Sequence, residues 1–148
     1  MQTQQVRVTV IVLLLALASC VKNVSVSTPQ AVQLRTAQAL GVLVEVNKGC
    51  TAAAIQMSQA GYLTRDTTSE ILDYNLKIAT SVKSAFVVMD SSQTPEAKSL
   101  AVLAILKELT LPPKIQALVD NPITPTALQG LVSLIKSSVL VIQGLTKG

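Results

Sequence analysis

The sequence predicts an all-α protein, a small antiparallel helical bundle of about four main helices behind an N-terminal export segment. Three observations carry that expectation. The dipeptide Thr-Pro stands at 28–29, 94–95 and 124–125, each time ahead of an apolar-periodic segment. Thr at an N-cap accepts a hydrogen bond from a free backbone N–H, and Pro at the first helical position needs no partner for its nitrogen. No segment alternates apolar and polar residues as a half-buried strand does, and the Asn-Gly signal of tight hairpins is absent. Hydrophobic residues make up 49% of the 148 residues and aromatics only 2%, so the core must be aliphatic. Small and unbranched side chains let helices approach closely.

The elements follow in order. Pro29 to about Asn47 sets Val32, Ala39, Leu40, Leu43 and Val46 on one face, with Gly49 as a stop signal. Cys50 to Ala60 reads as a shorter, Ala-rich helix closed by Gly61. Thr67 and Glu70 fit a capping box that opens a helix to about Met89, with Ile71, Ile78, Val82, Ala85 and Met89 at helical spacing. Pro95 to about Thr110 carries Leu100, Leu103, Leu106 and Leu109, and Leu111-Pro112-Pro113 ends it. Lys114 to Val119 adds a turn or two. The last helix, Pro125 to about Leu145, carries Leu128, Leu131, Val132, Ile135, Val139 and Ile142 on one side. Lys136 and several Ser and Gln interrupt it, so it is not a clean membrane span.

The first 27 residues read differently. Arg7 closes a short polar start, and Val8 to Ala18 is an 11-residue run, apolar but for Thr9, of secretory-signal length and well short of the ~20 residues of a membrane span. That run leads into Leu17-Ala18-Ser19-Cys20. An aliphatic residue, two small residues and Cys resemble the lipobox of bacterial lipoproteins. The resemblance covers the first 20 residues. It implies diacylglycerol on the Cys20 thiol, cleavage before Cys20, acylation of the new N-terminus, and a membrane partner through the lipid. More than one acyl chain gives stable anchoring. Ala16-Leu17-Ala18 also satisfies an ordinary A-x-A cleavage site before Ser19, which would leave Cys20 free. The division expected is residues 1–19 as lipoprotein signal peptide, 20–27 as tether and 28–148 as helical domain. Val21 follows Cys20 where an Asp is associated with inner-membrane retention in enterobacterial lipoproteins. The resemblance therefore implies the outer membrane, facing the periplasm, if the source is Gram-negative.

Chemistry is sparse. The chain has no His, which removes imidazole acid–base catalysis, Ser-His-Asp and Cys-His arrangements, and the commonest metal ligand. The formal net charge is +4, with the basic residues scattered singly and no aromatic platform, so nucleic acid is not an expected partner. Cys50 reads as a small apolar core residue; the alternative is a thiol that reacts or pairs with another chain, or with Cys20 if that stays unlipidated. Asp66, Glu70 and Asp73 share a helix face, where acid near an N-terminus favours the dipole and Asp73 faces Lys77 at i,i+4. A cation site or paired catalytic carboxylates are the alternative reading of that cluster. Asn75 breaks the apolar stripe between Ile71 and Ile78; a buried Asn fixes register, or lines a ligand cavity. No catalytic residue, metal or cofactor is expected beyond the covalent lipid on Cys20. The surplus of aliphatic residues points to a non-enzymatic module that binds an envelope protein or stabilises an assembly. The alternative is a carrier of a small apolar ligand or lipid between helices.

Overall fold

The computed structural model describes residues 28–122 and 124–147. The export segment, the lipobox with Cys20 and the tether lie outside the described residues. Among the described residues five helices form: α1 (Pro29–Gln59), α2 (Arg65–Met89), α3 (Pro95–Lys107), α4 (Pro113–Asp120) and α5 (Thr126–Lys147). No strand occurs among the described residues, and the fold is the all-α bundle that the aliphatic periodicity predicts.

α1 corrects one expectation. It runs unbroken for 31 residues, straight through Gly49, so the two helices expected on either side of that glycine are one. A glycine stops a helix only where it adopts the left-handed conformation, and Gly49 stays helical. The one left-handed residue among those described is Gly61, at φ 78°. Gly61 N–H donates to Ser58 O at 3.0 Å and Tyr62 N–H donates to Met57 O at 2.9 Å, the paired bonds of a Schellman end. At the other end Thr28 Oγ1 accepts from Ala31 N at 3.3 Å, as its Thr-Pro pair predicts.

α2 starts one turn earlier than expected. Thr64 is the N-cap, its hydroxyl accepting from Thr67 N at 3.2 Å, so Thr67 lies inside the first turn. Glu70 does not serve a capping box; it reaches α4 and pairs with Lys114 at 3.1 Å. α3 is capped by Thr94 and ends at Lys107, three residues short of the expected stop. Its inward residues are Val102, Leu106 and, just beyond its end, Leu109, while Leu100 is 67% exposed. Steps of three residues drift by about 60° each around a helix, so four leucines spaced by three cannot share one face. The third Thr-Pro pair links two elements: Thr124 Oγ1 donates to Asn121 O at 2.6 Å, beyond the end of α4, and α5 begins two residues later.

The helices close around one core. α1 packs most extensively on α5 and next on α2, and α2 packs on α3. α2 and α3 cap each other reciprocally. Lys98 of α3 donates to Met89 O at the end of α2, and Lys77 of α2 donates to Glu108 O at the end of α3, both at 2.7 Å. Each ammonium sits where the free carbonyls and negative dipole end of the other helix favour it, which fixes the pair as antiparallel. Fully buried Leu40, Leu43, Ile71, Ile78, Leu106, Ile115, Leu131 and Ile135 form the centre. α5 is the one described helix long and apolar enough to cross a bilayer by length and composition, with mean hydropathy 1.5. Here it buries Leu128, Leu131, Val132, Ile135 and Ile142 against the bundle, and a core helix of this kind meets the same criterion.

Candidate functional site

Two of the four buried polar side chains among the described residues, Asn47 and Asn75, meet on the α1–α2 seam. Continuity of α1 through Gly49 places Asn47 and Thr51 one turn apart, facing Asn75 of α2. Asn47 Nδ2 donates to Asn75 O at 2.9 Å, Asn75 Nδ2 donates to Thr51 Oγ1 at 3.0 Å, and Thr51 Oγ1 donates to Asn47 O at 3.0 Å. Asn75 is 4% exposed and Asn47 7%. The first two of these bonds cross between helices and fix one register, since a slip of either helix would bury unpaired amides. Asn47 Oδ1 has no partner.

Cys50 and Tyr74 complete the cluster. Burial pushes the Cys50 thiol above its ordinary range, and a hydrogen bond from the Asn75 side chain opposes the shift. The Tyr74 phenol is pushed up to about 12 by burial, with the neighbouring Cys50 adding to it. The thiol is thus held toward its neutral form and is 1% exposed.

The acidic trio does not form a site. Asp66 and Asp73 are exposed, and Glu70 is engaged by Lys114. Lys77 reaches Glu108 O on α3, where Asp73 was its expected partner. No group of three or more His, Cys, Asp or Glu converges among the described residues.

Two open grooves flank the seam. One, of about 340 Å³, lies between α1 and α2 and is lined by Val44, Asn47, Lys48, Ile78, Ala79, Val82, Lys83 and Phe86. The other, of about 300 Å³, is lined by Tyr74, Leu109, Thr110, Leu111, Gln116, Val139, Ile142 and Gln143. Sequence reasoning singled out Asn75 but missed Asn47, Thr51 and the groove lysines. A polar pair spaced i,i+4 on an otherwise apolar face was the available signal, and the false break at Gly49 concealed it. Comparison with family models, with curated proteins and with solved structures finds no match.

Proposed function

We propose that the chain is the precursor of a bacterial envelope lipoprotein, tethered through lipid on Cys20, whose helical domain is a non-enzymatic interaction module. The observation that carries the reading is the apolar run from Val8 to Ala18 leading into Leu17-Ala18-Ser19-Cys20. A signal of that length directs export, and the lipobox supplies the thiol for the anchor. With Val21 after Cys20, the destination proposed is the outer membrane, periplasmic face.

The interaction half of the proposal draws on what the chain lacks and on what it exposes. Without His anywhere, and with its cysteine neutral and buried, the domain has few groups for catalysis. Large aliphatic side chains stand in solvent instead. Leu76 and Val87 of α2 are 67% and 65% exposed. Eleven residues apart, they fall on one helix face, about three turns from each other. Exposed apolar area of this kind marks contact surfaces. A photo-crosslinking residue placed at 76 or 87 in the host is expected to give one discrete adduct with an envelope protein. Absence of any adduct at both positions, with the protein correctly localised, would contradict the interaction reading.

A further inference from the structure

We infer that the exposed face of α2 binds the same face of a second copy of this chain, the two helices running antiparallel about a dyad near residue 78. The inference rests on the interaction reading above and names its partner. Ser69, Asp73, Leu76, Thr80, Lys83 and Val87 are all exposed. Their spacing alternates between four residues and three, which keeps them on one stripe along the helix, as the seam positions of a coiled coil are kept. α2 is also the one described helix with two large aliphatic side chains more than 60% exposed, Leu76 and Val87.

The order of side chains along the stripe selects a second copy. A two-fold axis makes each contact occur twice, so the face must complement itself. Set antiparallel about position 78, Asp73 meets the second copy's Lys83, Leu76 meets its Thr80 and Ser69 meets its Val87. Neither Asp73 nor Lys83 has an ion-pair partner among the described residues, so both charges are available across the dyad. The parallel arrangement would set like charge on like, which penalises that pairing. Exposed Ala79 and half-buried Leu72 and Phe86, each one residue before a stripe position, add apolar area along one flank. On the other flank Lys77 is turned away, donating to Glu108 O at 2.7 Å. One helix pair buries less than the ~1,600 Å² of a standard interface, so the dimer is weak and reversible.

The test uses the full chain extracted from host membranes in a non-ionic detergent. A zero-length carbodiimide is expected to join Asp73 to Lys83 in a product of twice the chain mass. Ten residues of helix hold the two about 15 Å apart, so that bond cannot form within one chain. A photo-crosslinking residue at 80 reports the dimer independently of that chemistry. Asp73→Lys or Lys83→Asp alone is expected to weaken dimerisation roughly tenfold, because each breaks two exposed pairs and creates two repulsions. Asp73→Lys together with Lys83→Asp should restore the wild-type yield. Leu76→Glu should leave only monomer, with circular dichroism confirming the fold. A chain that stays monomeric at every concentration would overturn the inference, as would a double reversal no better than the single ones. Adducts at 76 and 87 with a different protein alone would overturn this pairing and leave the interaction reading standing; no adduct of any kind would remove both.

Discussion

The two long seams of α1 are built from different materials. Toward α5 the contact is aliphatic and close: at Gly49 an added Cβ would stand 3.7 Å from both methyls of Leu134. The buried hydroxyl on α5, Ser138, is satisfied inside its own helix by Leu134 O at 3.2 Å, so it imposes no register across the seam. Toward α2 the contact carries Asn47, Thr51 and Asn75 bonded from helix to helix, and opens outward into a groove with lysines on both walls. Apolar burial supplies adhesion without direction. Buried amides add little net stability but penalise every misaligned packing. α5 therefore holds the bundle together, and the α1–α2 seam fixes its alignment and shapes a groove with a lysine on each wall.

The largest expected effect comes from breaking the adhesive seam. Leu131→Ala is expected to cost about 2–5 kcal/mol in urea unfolding, the range for a fully buried leucine. Leu131 is 2% exposed, so a loss near zero would show that α5 is not a core helix. Asn75→Ala should cost about 1–3 kcal/mol, since it strips Thr51 of a buried donor while the backbone carbonyl of residue 75 remains for Asn47. Adding Thr51→Ala to it should cost less than Thr51→Ala alone, because the two share one bond. Strict additivity would mean the seam amides act independently.

The same seam has a pH signature. Cys50 rises above its ordinary 9.0, and Tyr74 rises from 10.0 to about 12. In both, the unfolded chain gives up its proton more readily than the folded one. Their contribution is therefore complete below pH 9 and is lost as pH climbs from 9 toward 12. Unfolding midpoints are expected to fall across that window, and Tyr74→Phe should flatten the upper part of the fall.

The smallest effects separate the two glycines. Gly61→Ala forces a Cβ into the left-handed conformation and should cost about 1 kcal/mol. Gly49→Ala meets Leu134 at ordinary contact distance and removes a flexible residue from a helix interior, so it should gain about 0.5–1 kcal/mol. The opposite signs are the test, read as melting-temperature shifts in opposite directions.

That contrast also shows what the sequence reveals. The Thr-Pro caps at 28 and 94 and the glycine end at 61 are local chemistry, and local chemistry is legible. Gly49 and Gly61 look alike in the sequence, each following an amphipathic stretch, yet packing against α5 keeps the first helical. The error propagated: with α1 broken at 49, Asn47 became a helix end and Thr51 part of another element, so their shared face toward Asn75 was invisible. The groove lysines stand alone on separate helices and become a pair only when α1 and α2 are packed.

The proposed lipid anchor on Cys20 is read out by the intact mass of the protein. Protein extracted from host membranes should lack residues 1–19 and carry acyl mass on Cys20, while Cys20→Ala stays unprocessed. Wild type and variant both cut before Ser19, with no lipid attached, would contradict it.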